Sequence, residues 1–188
     1  MVYIDTSQFA SLEEAIRGIE IPSEIQQTLA LIAVPHLSFD GNHCQGQLVV
    51  HKDLAEEIRW LFNALFHMRF PIHSIIPVCA YEWNDTATMQ ANNSSAFNIR
   101  RIEGTDRYSQ HSYAWALDIN PVQNPCFDHR SSTIEPKGAR YDVSVPGTLV
   151  QDSSVVQLFR TYGWIWGGDW TSLQDYMHFE KRLDGARS

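Results

Sequence analysis

The sequence predicts an α+β domain in which helices pack on one face of a small, mostly antiparallel sheet. Most helical patterns lie in the first 70 residues, whereas short strand-like runs between turn residues dominate the remainder. Helices and strands segregated in this way are typical of α+β folds, because a parallel sheet would need them to alternate. A length of 188 residues suits one domain with a substantial core. We therefore predict a single domain, with an N-terminal extension over 1–30 and the core over 31–181.

Three helices and a hairpin are predicted in the first part of the chain. They are a short helix from Ser11, a helix over 24–33, hairpin strands over 37–39 and 47–51, and a helix over 53–70. Ser11 and Glu14 have the spacing of a capping box, which begins a helix. The last helix has apolar residues at three- and four-residue spacing, and Pro71 ends it because proline cannot continue the helical hydrogen bonds.

Short strands and two long irregular segments are predicted in the second part. The strands are placed over 74–78, 114–120, 164–166 and 177–180, with one helix over 153–162. The segment 81–107 is polar and rich in Asn and Ser, which is typical of a functional loop. The segment 123–147 contains three prolines and is expected to be irregular.

The composition excludes several classes of partner. The chain has 14 basic against 22 acidic residues and a net charge of −8, so it lacks the basic surface that nucleic acids and anionic lipids require.

The chain contains no apolar run of about 18 residues, so we expect no membrane-spanning helix. No basic region followed by an apolar region opens the chain, so no signal peptide is expected and no location is predicted. Three widely spaced cysteines predict free thiols, and we expect a monomer.

Four residues in two segments have the chemistry of a metal site. His111 and Asp118 flank one predicted strand, His178 begins another, and Asp175 precedes it by three residues. Catalytic zinc takes three nitrogen or oxygen ligands and keeps one position open for water. A nearby carboxylate can then accept a proton from that water. The spacing alone is moderately specific, because a turn histidine followed by a capping aspartate is also common.

The motifs around these residues resemble those of the LAS-type zinc metallopeptidases. This group includes D-alanyl-D-alanine carboxypeptidases, VanY-like carboxypeptidases and L-alanyl-D-glutamate endolysins, and the hedgehog signalling domain has a related fold. Its signature, SxHxxGxAxD followed by [DE]xxH, is matched from Ser109 to Asp118 and from Asp175 to His178, with further similarity over about 30–181. The resemblance implies a hedgehog/D,D-peptidase-like fold, a zinc cofactor, and peptidoglycan stem peptides as substrates.

The resemblance also implies a role for each matched residue. The zinc ligands are His111, Asp118 and His178, the general base is Asp175, the oxyanion donor is Arg100, and Ser109 forms a hydrogen bond within the site. Apart from the resemblance, Asn93 is a candidate hydrogen-bond donor to the substrate, and Trp166 or Trp170 could line the cleft and stack on a glycan or peptide. Arg100 has an alternative, since it could pair with Glu103 or Asp106 and only order the loop. Asn93 could likewise lie in a turn, and Trp170 could pack in the core.

One position departs from the signature, because Ala114 stands where the motif has glycine. If this position needs a positive φ, alanine would cost on the order of 1 kcal/mol. The ligand positions are intact, so a zinc peptidase acting as a D-Ala-D-Ala-type carboxypeptidase is the expected function. The alternatives are an endopeptidase of the L-Ala-D-Glu type, a zinc-containing binding module without catalysis, and a metal-free structural domain.

Overall fold

A computed structural model describes residues 3–102 and 104–181, and its α+β architecture confirms the predicted fold class. The helices are α1 (Leu12–Ala15), α2 (Ser23–Gln26), α3 (Ala55–His67), α4 (Asp85–Gln90) and α5 (Ser154–Thr161). The strands are β1 (Ile4–Asp5), β2 (Leu29–Leu37), β3 (His43–His51), β4 (Ser74–Ile75), β5 (Asn93–Ser94), β6 (Ala116–Asp118), β7 (Cys126–Asp128), β8 (Thr133–Glu135), β9 (Ile165–Trp166), β10 (Leu173–Asp175) and β11 (His178–Glu180). In these described ranges, no helix has the length and apolar character needed to cross a membrane.

The described strands form four small sheets instead of the single sheet that was predicted. Three sheets have three strands each, in the orders β1-β3-β2, β6-β11-β9 and β10-β7-β8, and the fourth pairs β4 with β5. The pairs β1–β3 and β4–β5 are parallel, and the remaining pairs are antiparallel. The predominance of antiparallel pairing therefore agrees with the prediction.

The main core lies between the β2–β3 hairpin, α3 and α5. The apolar stripe of α3 packs against β2, and apolar residues of α5, β6 and β11 complete the cluster. Members of the cluster that are at most 2% exposed include Ile32, Val34, Leu48, Ile58, Leu61, Phe62, Leu65, Val156, Phe159 and Phe179. Helix α3 ends at His67, because Arg69 adopts a positive φ of 58° before Pro71 is reached.

The helix predicted over 24–33 was wrong beyond Gln26. Residues Leu29–Leu37 form an edge strand that pairs with β3 over nine residues, from Leu29 opposite His51 to Leu37 opposite His43. The leucines and alanines of this run favour a helix when considered alone. Pairing with β3 and packing against α3 outweigh that weak local preference.

Two segments predicted to be irregular contain regular structure. The segment 81–107 contains α4, which begins where the Asn84 side chain accepts a hydrogen bond from the Ala87 N–H, and it also contains β5. The segment 123–147 contains the β7–β8 hairpin. Short elements of this kind depend on tertiary pairing, which local periodicity does not reveal.

Residues 3–30 pack against the part of the fold that carries the candidate site. Strand β1 extends the hairpin sheet, and the apolar side chains of α1 and α2 form a second core cluster. This cluster includes Val49 of β3, Phe97 and Ala114. The N-terminal segment therefore supports the turn in which His111 lies.

Candidate metal centre

The structure brings the three predicted metal ligands together. His178 of β11 lies directly opposite Asp118 of β6, so their side chains project from the same face of the pair. His111 lies in the 3-10 turn Gln110–Tyr113, which immediately precedes β6. The three side chains are buried, and their candidate ligand atoms lie within 4.8 Å of one another.

The distances within this cluster fit a divalent metal ion. His111 Nε2 lies 3.2 Å from Asp118 Oδ2 and 3.2 Å from His178 Nδ1, which in turn lies 3.2 Å from Asp118 Oδ1. Atoms bound at about 2.0–2.1 Å to one tetrahedral ion would be about 3.3 Å apart. Two imidazoles and one carboxylate form a ligand set that suits zinc.

In each histidine, the ring nitrogen that faces away from Asp118, here called the outer nitrogen, contacts an oxygen that orients the ring. His111 Nδ1 lies 2.5 Å from the Ala96 carbonyl oxygen, and His178 Nε2 lies 3.4 Å from Glu180 Oε2. Because both partners can only accept, we infer that these outer nitrogens carry the ring protons when the imidazoles are neutral. The nitrogens that face Asp118 then present lone pairs, as metal binding requires.

The electrostatics of the cluster favour a positive charge inside it. Burial raises the pKa of Asp118, but the two histidines outweigh burial and hold that pKa below its ordinary value. Burial lowers the pKa of His178, but hydrogen bonds to Asp118 and Glu180 raise it to about 10. A metal ion must therefore compete with a proton for His178.

Ser109 determines the start of the turn that carries His111. Its hydroxyl oxygen accepts a hydrogen bond from the His111 backbone N–H at 3.4 Å. The neighbouring Ser112 hydroxyl donates to the Arg100 carbonyl oxygen at 2.8 Å and accepts from the Arg100 N–H at 3.0 Å. These bonds fasten the turn to the segment before it.

Ala114 ends this turn in the left-handed region, with a φ of 55° and a ψ of 33°. The signature glycine would adopt this conformation freely, whereas alanine is strained by roughly 1 kcal/mol. The Ala114 methyl group is fully buried in the second core cluster, and burying one such group contributes about 0.8 kcal/mol. The two effects nearly cancel, so the substitution is compatible with the turn.

Asp175 lies beside the three ligands, at the end of β10 and not in a turn as predicted. Its Oδ1 is buried and has no hydrogen-bond partner among the described residues. Burial raises the pKa of Asp175 to about 6, while the positive charges of His178 and Arg100 act in the opposite direction. A partly buried acid with one enclosed, unpartnered oxygen and a raised pKa has the properties of a general base.

Gly167 allows Asp175 and His178 to approach the same turn. A Cβ atom at this position would lie 2.5 Å from the Asp175 carbonyl oxygen and 3.2 Å from the Cβ of His178. The first distance is well inside van der Waals contact, so any larger residue would displace the β10 end. The glycine is therefore needed for close packing at the site.

Arg100 is near the site but has an acidic neighbour. Its Nε lies 3.2 Å from Oδ2 of Asp85 in α4, although the geometry is not that of a hydrogen bond. Asp106 pairs instead with Arg101, and Glu103 lies outside the described residues. The charge of Arg100 acts on Asp175, and its assignment to the oxyanion stays a prediction.

The structure corrects the prediction for Asn93 and places Trp170 beside a ligand. Asn93 is 0% exposed. Its side-chain amide donates a hydrogen bond to the Ile76 carbonyl oxygen and accepts one from the Ile76 N–H. These bonds connect β5 to the residue that follows β4. A fully enclosed amide cannot reach a substrate. Trp170 is half-buried, and its ring centroid lies 5.3 Å from that of His178.

Sequence reasoning missed Glu180, which contacts His178 from the outer side of the ring. The signal was present, because residues two apart on a strand project from the same face. The contact of His111 with the Ala96 carbonyl could not be found in this way. It joins a backbone atom to a residue 15 positions away.

The sequence comparisons agree with this geometry. The family model described as D-alanyl-D-alanine carboxypeptidase matches residues 103–181, which include the three ligands and Asp175. Arg100 and Asn93 precede the match, so it does not extend over the whole range 30–181 of the resemblance. No curated protein and no solved structure matches the chain significantly. The family match confirms the resemblance to the LAS-type zinc peptidases over residues 103–181, where the chain is similar to the model described as D-alanyl-D-alanine carboxypeptidase.

Proposed function

We propose that this protein is a zinc-dependent peptidase with a hedgehog/D,D-peptidase-like fold. It hydrolyses an amide bond of the peptidoglycan stem peptide, as a carboxypeptidase of the D-Ala-D-Ala type. The observation that supports this most directly is the convergence of His111, Asp118 and His178 beside Asp175, whose buried Oδ1 has no hydrogen-bond partner among the described residues. The peptidase family match supports the same reaction class.

The proposed chemistry divides between the metal and the protein. Zinc held by the three ligands would supply a Lewis acid and lower the pKa of water in its open position to near 7. Asp175 accepts a proton from the attacking water and then transfers it to the nitrogen of the leaving amine. Its buried oxygen suits this exchange, because it has no other hydrogen bond to break within the described structure.

Two further residues are proposed to act on the substrate. Arg100 donates to the carbonyl oxygen as negative charge develops there, an interaction that is strongest in the transition state. Trp170 provides an aromatic face beside His178, against which the substrate backbone packs. A binding module without catalysis would have no need of a buried acid next to the ligands.

Mass spectrometry of a defined stem pentapeptide after incubation with the zinc-loaded protein tests this proposal. Loss of one terminal D-alanine is the expected result. Cleavage between L-Ala and D-Glu would instead show an endopeptidase. An intact peptide, with zinc bound and the fold preserved, would overturn the proposed function.

A further inference from the structure

An ion pair that has no part in the proposed chemistry joins α5 to the turn beside the metal centre. Arg160 lies in the last turn of α5, and its Nη2 lies 2.7 Å and 2.6 Å from the two carboxylate oxygens of Asp169. Its Nη1 also donates to the Gln151 carbonyl oxygen at 3.0 Å. The guanidinium is therefore fixed both to the chain before α5 and to the turn that contains Asp169.

This 3-10 turn, Gly167–Asp169, follows β9 and leads directly into Trp170. At its start, Gly167 packs closely against the end of β10 and the start of β11. At its end, the Trp170 N–H donates to the Gly167 carbonyl oxygen at 3.1 Å, and the Trp170 ring centroid lies 5.3 Å from that of His178. Asp169 is thus the last residue of the turn before the aromatic side chain that contacts a candidate ligand.

The first half of the turn is held by packing on Trp166. A Cβ atom at Gly168 would overlap the Trp166 ring, so the backbone of the turn lies directly on the indole. Trp166 is 2% exposed, is the direct partner of Phe179 across β9 and β11, and donates from Nε1 to the Tyr176 carbonyl oxygen at 2.9 Å. The Arg160 guanidinium carbon lies 6.0 Å from the same ring, at the outer limit of a cation–π contact. These contacts fix the start of the turn even without the ion pair.

The second half of the turn depends on the ion pair. Asp169 is exposed, Trp170 is half-buried, and the next two residues, Thr171 and Ser172, are exposed up to the start of β10. Within the described ranges, the side chain of Asp169 forms hydrogen bonds with Arg160 and with no other residue. Loss of this pair would therefore free the backbone that carries Trp170.

We propose that Arg160 and Asp169 are positioning residues that hold the Trp170 ring against His178 and so orient the aromatic wall of the substrate cleft. The inference rests on the proposed function, which assigns the face of Trp170 to the substrate. Without the pair, Trp170 adopts the binding orientation in only a fraction of the molecules, and the apparent affinity for substrate falls by that fraction. The chemical step is spared, because strand pairing and not this turn holds the ligand strands together.

Relaxation of the indole ¹⁵N nuclei tests the positioning without any substrate. The Trp170 signal is assigned by its absence in Trp170→Phe. Its order parameter should be that of a rigid group in the wild type and should fall in Arg160→Gln and in Asp169→Asn. Arg59→Gln is the matched control, because Arg59 likewise pairs with an acid, Glu56, and donates to a backbone carbonyl. A Trp170 signal that stays equally rigid in both pair variants would overturn the inference.

Steady-state kinetics on the stem pentapeptide shows what the positioning does. Arg160→Gln and Asp169→Asn should each raise KM about two- to fivefold, as loss of a partly exposed ion pair allows, and change kcat by less than about twofold. Trp170→Ala should raise KM at least as much. Adding Arg160→Gln to Trp170→Ala should raise KM no further, because the pair acts through that ring.

The outcomes separate this inference from the proposed function. A pair that only stabilises the fold would lower the melting temperature, and its effect on KM would multiply with that of Trp170→Ala, which would overturn the positioning role. A Trp170 signal that becomes mobile as expected, in a protein whose wild type cleaves no stem peptide, would retain the positioning role and overturn the peptidase function.

Discussion

His178 Nδ1 lies 3.2 Å from Asp118 Oδ1, across a direct pair of β11 and β6 residues. The backbone pairing of these two strands therefore determines the distance between two of the three ligands. Only His111 depends on a turn, and that turn is closed by the Ser109 hydroxyl and supported by the N-terminal core cluster. The site is consequently built mainly from rigid elements.

The purified protein should contain close to one zinc ion per chain. His111→Ala and His178→Ala should each lose most of it, because two protein ligands hold zinc far more weakly than three. Elemental analysis by mass spectrometry measures the content, and His129→Ala, which alters an exposed histidine, serves as control. Full zinc retention in both ligand variants would disprove the assignment.

Zinc binding should release about one proton at pH 7. Hydrogen bonds raise the pKa of His178 to about 10, so its ring carries a proton in the metal-free protein that zinc must displace. Raising the pH removes this competition, so the apparent affinity should rise about tenfold per pH unit between pH 6 and pH 8. Calorimetry in two buffers of different ionisation enthalpy counts the proton, and an affinity that does not change with pH would contradict this account.

Asp175→Asn should retain zinc and fold but lose activity by roughly 10²–10⁴-fold, the range typical of general acid–base catalysis. Asp152→Asn, at an exposed position, is the matched control. Activity within a few-fold of wild type would make Asp175 structural.

The same variant tests the burial of Asp175 without any substrate. The folded protein holds this proton up to about pH 6, whereas the ordinary pKa is 3.8. The folded state then binds more protons between these values, so the stability of the metal-free protein falls as the pH rises through this window. Urea unfolding of the metal-free wild type and of Asp175→Asn at pH 4 and pH 7 gives the free energy of unfolding of each. The decrease in this free energy from pH 4 to pH 7 should be smaller in the variant.

Arg100→Ala should lower kcat by about 10²–10³ with a smaller change in KM, as loss of one oxyanion donor does. Arg100→Lys should recover only part, since lysine lacks the planar set of donors. Arg100 could instead only anchor α4 through Asp85. In that case Arg100→Ala and Asp85→Asn should lower the melting temperature by the same amount, and each should keep kcat near the wild-type value. Steady-state kinetics with thermal melting separates the two outcomes.

Glu180→Gln should weaken zinc binding by about 10- to 100-fold, because the carboxylate orients His178 and raises its basicity. Competition with a chelator of known affinity measures the change. Glu82→Gln is a suitable control, since this residue is exposed and distant in sequence from both ligand segments. Unchanged affinity would mean that strand pairing alone orients the ring.

The sequence by itself determined the elements whose signal is local. Helices α3 and α5 follow from apolar spacing, and the second half of β3 follows from the strand-like run over 47–51. The first predicted hairpin strand, over 37–39, overlaps β2 only at Leu37, so the partner of β3 was placed too late in the chain. The candidate ligands His111, Asp118 and His178 also belong here, because the family signature includes both their residue types and their spacing. No packing information was needed for these predictions.

The tertiary structure alone decided the features that depend on distant residues. Residues Leu29–Ala33 form a strand because they pair with β3. Asn93 has a structural role because its side-chain oxygen and nitrogen both form hydrogen bonds with the backbone of Ile76. The partner of Arg100 proved to be Asp85, which is 15 positions earlier in the chain. Such contacts arise from the free energy of packing and pairing across the fold, which outweighs local preferences and is not encoded in any short stretch of sequence.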